Sequence, residues 1–250
     1  MLQLPLSIPC IVICHTMSKY WSPAINQLTP YVPGEQPKVD NLIKLNTNEN
    51  PYPPSPRAAD ALNDYPKDRL RLYCDPEATA LKNALAEHFD LDYNNIFVGN
   101  GSDEVLALAF MAFFRQDEPI LLPETTYSFY DVYCKLYDIK YRQLPLTGQF
   151  EINLEDYQQD NGGIIFANPN APTGRLLPLE QIENLLQKNT ESLVIVDEAY
   201  IDFGGHSAVE LVNKYDNVLV IQTFSKSRSL AGLRVGYALG HPDLIEGLAR

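Results

Sequence analysis

Residues 217–238 read Asn-Val-Leu-Val-Ile-Gln-Thr-Phe-Ser-Lys-Ser-Arg-Ser-Leu-Ala-Gly-Leu-Arg-Val-Gly-Tyr-Ala, and this stretch decides the fold. The unbroken apolar run Val218-Leu219-Val220-Ile221 predicts a strand buried on both faces, and it leads directly to Lys226. A lysine at the carboxyl end of such a strand can be stripped of water and crowded by other cations. Both effects favour the neutral, nucleophilic amine that carbonyl chemistry needs. The hydroxyls of Thr223 and Ser225, together with Arg234, form a candidate anion site, because a guanidinium grips phosphate oxygens in pairs. A lone lysine after a strand is ordinarily a solvated loop residue, so the reading depends on agreement from other stretches.

Upstream, Ile96-Phe97-Val98-Gly99 predicts a short strand turning through Asn100-Gly101-Ser102 into an amphipathic helix over 103–114. Free backbone N–H groups at such a helix N-terminus favour an anion, by about 0.3–1 kcal/mol for the dipole alone, although a plain tight turn is the commoner reading of Gly-x-Gly. The turn is not a Walker loop, and Glu104 stands where a dinucleotide fingerprint needs its third glycine. Further strands are predicted over 119–122, 139–146, 163–167 and 193–196, with helices over 77–89, to 136 and over 179–187. Tyr127 follows one strand and offers a ring for stacking on a flat ligand. Asn168-Pro169-Asn170-Ala171-Pro172-Thr173-Gly174 follows another, and its prolines aim asparagine side chains off the sheet.

The run Leu193–Val196 ends at Asp197-Glu198-Ala199-Tyr200. A carboxylate closing a buried strand costs several kcal/mol unless it is paired. The ring nitrogen of pyridoxal phosphate (PLP) is such a partner, since a protonated pyridine is an electron sink, and Tyr200 then reaches the ring's phenolic oxygen. Strands alternating with helices predict an α/β fold, a mostly parallel sheet with helices on both faces. Gly101, Tyr127, Asn170, Asp197 and Lys226 all fall at the carboxyl ends of its strands, where such sheets bind ligands.

With 250 residues, 45% of them hydrophobic, the chain can bury a sizeable core. The formal net charge of -13 opposes nucleic acid and anionic membranes, so any phosphate site must be a local cluster of positive groups. The four cysteines have neither disulfide-framework nor zinc or haem spacing and read as reduced, cytoplasmic thiols; no metal site is expected. Residues 1–16 are an atypical apolar extension that fits no targeting class, and translation is expected to start at Met17. Residues 17–60 read as an N-terminal arm with one short strand at Leu42–Leu45, and 61–250 as the ligand-binding domain.

On the motifs LTPYVPGEQP (28–37), KLNTNENPYPPSP (44–56), GNGSDE (99–104), NPNAPTG (168–174), VDEAYIDF (196–203) and TFSKSRSLAGLRVGYA (223–238), the chain resembles the fold-type I PLP-dependent aminotransferases. Within that fold the arm motifs are most similar to the histidinol-phosphate aminotransferases. The resemblance implies amino transfer between histidinol phosphate and 2-oxoglutarate. The alternatives are an aromatic amino-acid aminotransferase, a PLP-dependent decarboxylase, or a PLP-binding chain without turnover. It makes Lys226 the lysine joined to PLP, Asp197 the partner of the ring nitrogen, Tyr200 a partner of the phenolic oxygen and Tyr127 the ring stack. Phosphate falls to the backbone N–H groups of Ser102 and Asp103, to Thr223, Ser225 and Arg234, and to Tyr73 from the second subunit of a homodimer; Gly101 is a further cofactor-binding residue, and Tyr31 and Asn50 contact substrate. The family's asparagine before Pro-Thr-Gly is Ala171 here, which leaves Asn170 or Asn168 to supply an amide. The resemblance also implies a small C-terminal domain, and the chain is expected to stop at Arg250 where that domain should begin.

Overall fold

The computed structural model describes residues 18–28, 35, 37–39 and 42–250. Two units are distinguished, residues 1–31 and 32–250. In the first, Pro23–Gln27 forms a short 3₁₀ helix. The 1–16 extension and Tyr31 lie outside the described residues.

In the second unit the strands are β1 (Ile96–Asn100), β2 (Ile120–Pro123), β3 (Tyr141–Leu144), β4 (Ile164–Ala167), β5 (Val194–Asp197), β6 (Val218–Thr223) and β7 (Val235–Gly240). They form one sheet in the order β1-β7-β6-β5-β4-β2-β3. All pairings are parallel except those of β7, which runs antiparallel to both β1 and β6.

Successive strand side chains point to opposite faces, so strands that are apolar at every position must supply two cores. On one face Phe166, Val194, Val196, Val218 and Val220 pack with Leu85 of α2 (Thr79–Phe89) and with Ile182, Leu185 and Leu186 of α5 (Leu179–Lys188). On the other, Ile165, Ile195, Leu219 and Ile221 meet α3 (Ser102–Phe113), α4 (Phe129–Tyr137) and α6 (Pro242–Ala249). Each strand's carboxyl end therefore emerges between two helical layers. Asp75 fixes the entry to α2 by accepting the N–H groups of Glu77 (3.1 Å) and Thr79 (2.8 Å), with Ala78 left-handed between helix and loop.

Three local expectations give way. Leu42–Leu45 pairs with no strand: Lys44 bonds Glu49 at 2.7 Å, and the segment turns at Asn46–Asn48 toward the strand ends instead of following a sheet edge. The end of the segment read as an extended arm over 17–60 runs into a helix, α1 (Pro56–Asn63), started by Pro56 and by the Ser55 hydroxyl accepting the Ala58 N–H at 3.3 Å. β7 has no counterpart in the periodicity reading, because Gly236 and Gly240 weaken its strand signal. Gly236 is required there: a Cβ would collide with the backbone of Gly101 and Ser102.

Candidate active site

A cavity of about 220 Å³ opens where β4, β5 and β6 end, between the turn into α3 and the loop 47–49. Ser102, Asp103, Tyr127, Asp197, Tyr200, Thr223, Ser225, Lys226 and Arg234 all line it. These nine residues come from five separate stretches of sequence, and parallel topology is what gathers them.

Asp197, the last residue of β5, is buried at the cavity wall. Its carboxylate accepts the Tyr130 hydroxyl at 2.8 Å and the Ala199 N–H at 3.2 Å. Burial pushes it up to about 6, outweighing the opposing pull of those two bonds. It is thus a carboxylate supplied with neutral donors and poised for a cationic one. The adjacent Glu198 is not among the residues lining the cavity and is satisfied by the Ser207 hydroxyl (2.6 Å), the Ala208 N–H (2.7 Å) and the Gln222 amide (2.8 Å). Burial pushes Glu198 up to about 7.

Lys226 lies three residues beyond β6. Its Nζ is 3.4 Å from the Thr47 carbonyl oxygen and 5.7 Å from the centre of the Tyr200 ring. Asn48 donates to the Tyr200 hydroxyl at 2.9 Å, so the loop 47–49 braces both groups.

At the opposite end stand the N-terminus of α3, Thr223, Ser225 and Arg234. The Thr223 hydroxyl donates to Ser225 Oγ at 2.9 Å and accepts the Ser225 N–H at 3.1 Å, which folds the strand end back on itself. Arg234 has left-handed backbone (φ 55°) and places Nη2 3.4 Å from Asp103 Oδ2. Gly101 (φ 83°) admits the guanidinium, which a Cβ at that position would strike. Tyr127 donates to Asp103 Oδ1 at 3.0 Å and stacks on Phe129 at 5.6 Å, with 16° between the rings.

The remaining candidates stand elsewhere. Asn170 is buried, but its amide nitrogen goes to the Thr125 carbonyl (2.9 Å) and Thr173 Oγ1 (3.0 Å), and its oxygen accepts the Thr126 hydroxyl (2.9 Å). Asn168 clamps the backbone of Leu177 in the same way. Neither amide lines the cavity; Ala171 does. The physical reason is that both amides are already occupied: Asn168 holds the backbone of Leu177, and Asn170 ties its loop to the Thr125–Thr126 segment after β2. Asn50 likewise does not line the cavity but donates to the carbonyls of Lys226 (3.2 Å) and Ser227 (3.3 Å), bracing the lysine's loop. Tyr73 is fully exposed and lies outside the cavity lining.

Periodicity did not reveal Tyr130 or the side-chain role of Asp103. The available signal was the run of aromatics Tyr127, Phe129, Tyr130 and Tyr133 at the start of α4, in which the Tyr127 and Tyr130 rings meet edge to face at 5.6 Å.

A family model described as aminotransferase class I and II matches residues 40–250. The chain is 63% identical over 234 residues to histidinol-phosphate aminotransferase 1 of Hydrogenovibrio crunogenus, covering 94% of this chain and 66% of that protein. It is 64% identical over 234 residues to histidinol-phosphate aminotransferase 1 of Methylococcus capsulatus, again covering 94% and 66%. The chain thus spans 66% of the length of these curated relatives. Among solved structures, the histidinol-phosphate aminotransferase of Sinorhizobium meliloti in complex with pyridoxal-5'-phosphate shares the fold with a TM-score of 0.81 and 24% identity, covering 94% of this chain and 66% of that one. Among the described residues, no helix is long and apolar enough to cross a membrane.

Proposed function

The chain belongs to the class I and II aminotransferase family, and from that premise we propose that it binds PLP and takes part in amino transfer between histidinol phosphate and 2-oxoglutarate, in the synthesis of histidine. One observation carries this reading: Asp197 and Lys226 line a single cavity whose far end holds the α3 N-terminus, Thr223, Ser225 and Arg234. The residues fit the cofactor on independent grounds. The buried Asp197 carboxylate, bonded by neutral donors and pushed up to about 6, suits a protonated ring nitrogen. The glycine turn leaves an arginine against a helix N-terminus, which suits a phosphate dianion.

PLP, when bound, supplies the electron sink that stabilises negative charge at a substrate's alpha carbon. The chain's residues supply the rest. Asp197, with one carboxylate oxygen fixed by Tyr130, would hold the proton on the ring nitrogen. Tyr127 would lie against the ring, and Tyr200, bonded by Asn48, would address its phenolic oxygen. Ser102, Asp103, Thr223, Ser225 and Arg234 would hold the phosphate through backbone N–H groups, hydroxyls and guanidinium. Lys226 would hold the cofactor through its Nζ and, once released, would move a proton at the reacting carbon. The same reading assigns Tyr73 to the phosphate of a second copy in a homodimer, and the chain to the cytoplasm.

The test has two arms. Adding PLP to the purified chain is expected to produce a visible absorption band, and borohydride is expected to fix the cofactor to Lys226, as read by peptide mass spectrometry. Fixation on another lysine would overturn the cofactor assignment. Amino transfer to 2-oxoglutarate is then compared for histidinol phosphate and phenylalanine, and faster transfer from phenylalanine would overturn the substrate.

A further inference from the structure

Asp103 is a carboxylate in a place that otherwise collects groups for an anion. It is the second residue of α3, lines the cavity, and is half exposed. Its two oxygens serve two different elements. Oδ1 accepts the Tyr127 hydroxyl at 3.0 Å, and Oδ2 faces Arg234 Nη2 at 3.4 Å. Its backbone carbonyl accepts a third bond, from the Tyr133 hydroxyl at 3.0 Å, which ties the first turn of α3 to α4. The carboxylate therefore joins Tyr127, on the aromatic side of the cavity, to the guanidinium of Arg234 at the end proposed for phosphate.

Simple electrostatics runs against it. A negative charge beside Arg234 opposes a phosphate dianion and neutralises part of the arginine's attraction. Two geometric facts run the other way. Tyr127 is held by Phe129 on its face and by Asp103 at its hydroxyl, which leaves its ring one orientation toward the cavity. Burial and the nearby carboxylate also keep the Tyr127 phenol well above its usual range, so it remains a donor at any working pH. Arg234 is long and half exposed, and its other nitrogen reaches only the Ala231 carbonyl of its own turn at 3.4 Å. Without Asp103 it can leave the cavity for solvent, at the entropic gain that long side chains carry.

We propose that the Asp103 side chain is a positioning residue that locks Tyr127 and Arg234 into one unit, so that the ring stack and the phosphate clamp are set together. The inference rests on the PLP reading above and adds to it a role for a side chain which that reading uses only through its backbone N–H. Because one carboxylate couples two contacts, the loss of either partner should consume part of the benefit of the other.

The experiment uses the full chain with PLP as the probe, reading the dissociation constant and the visible circular dichroism that a fixed chiral environment induces in the bound ring. D103A is expected to weaken PLP binding about tenfold and to lose most of the induced dichroism. D103N keeps an acceptor for the Tyr127 hydroxyl and should retain the dichroism. Y127F leaves the fold's packing intact and should reproduce the dichroism loss. The double variant D103A/Y127F should lose no more dichroism than D103A alone, the mark of coupled sites. Additive losses would overturn the coupling. Equal or tighter PLP binding by D103A with unchanged dichroism would also overturn it, showing Asp103 to be only a competing anion that phosphate evicts. If D103A does not fold, D103N and Y127F decide: the proposal stands if Y127F alone loses the signal and falls on any other outcome. A wild-type chain with no PLP band at all brings down the PLP reading and this inference together, whereas a normal wild-type band with unaltered variants brings down the inference alone.

Discussion

Residues 42–81 and residues 96–250 differ in one respect that organises the molecule. No residue from 42 to 81 is buried, although the stretch includes Ile43, Leu45, Leu70 and Tyr73. Within 96–250, β2, β4, β5 and β6 are buried at every position. Both regions nevertheless reach the cavity, the second through its strand ends and the first through Thr47, Asn48 and Glu49. The difference separates two ways of placing a functional group. A strand end inherits its position from a close-packed core, whereas the loop 47–49 depends on a few polar bonds to Lys226 and Tyr200.

The comparison breaks first at the lysine. Lys226→Ala should abolish the borohydride-stable attachment of PLP and lower amino transfer by roughly a thousandfold or more, the scale of losing a positioned proton carrier. Retained attachment, read by mass spectrometry, would mean that the strand ends do not form the site. Next, Leu219→Ala should cost about 2–5 kcal/mol in denaturant unfolding, because Leu219 is fully buried between β5 and β7 with no room to relax. Leu45→Ala, at 89% exposure, should cost less than about 0.5 kcal/mol in the same measurement. Similar values would show that the two regions are equally packed.

A smaller effect concerns pH. Asp197 is raised from 3.8 to about 6 and Glu198 from 4.5 to about 7, so each binds a proton more readily folded than unfolded. Their stabilising contribution is full below pH ~4 and is lost as pH rises through ~6 to ~7. The melting temperature of the PLP-free chain should therefore carry a downward component across that window. Asp197→Asn should flatten the Asp197 part of that slope and bind PLP more weakly. An unchanged slope would show that Asp197 titrates normally. The smallest effect belongs to the exposed region: Tyr73→Phe should weaken PLP binding severalfold only at protein concentrations where a dimer forms, as read by sedimentation beside binding. An equal effect on a monomer would remove the cross-subunit role.

How much of this was legible beforehand follows from where each signal resides. The strands 164–167, 194–197 and 218–223 announce themselves because burial on both faces requires continuous apolar runs. Asp197 follows from them because it closes β5, and Lys226 because it stands three residues past β6; Tyr127 follows in the same way from β2. β7 escapes because the close approach of Gly236 to the α3 turn costs the strand its periodicity. Tyr130 escapes because a tyrosine on an apolar helix face looks the same whether its hydroxyl is idle or bonded to Asp197. Asn170 is legible only in part: its place in the loop after β4 was readable, but the bonds of its amide to Thr125 and Thr173 were not.

The insertion of β7 between β1 and β6 also has a consequence for how the molecule is made. Ile96–Asn100 and Val235–Gly240 are neighbours in space but stand some 140 residues apart in the chain. The pocket's anion end joins the turn after β1 to the loop before β7, so it does not form until β7 has closed the gap. A chain emerging from the ribosome would carry Asp197 and Lys226 before it carried Arg234. PLP binding would then reward only a sheet in which β7 is in place, stabilising it in proportion to the logarithm of cofactor concentration. The cofactor would act on this region as a selector for molecules whose distant strands have met.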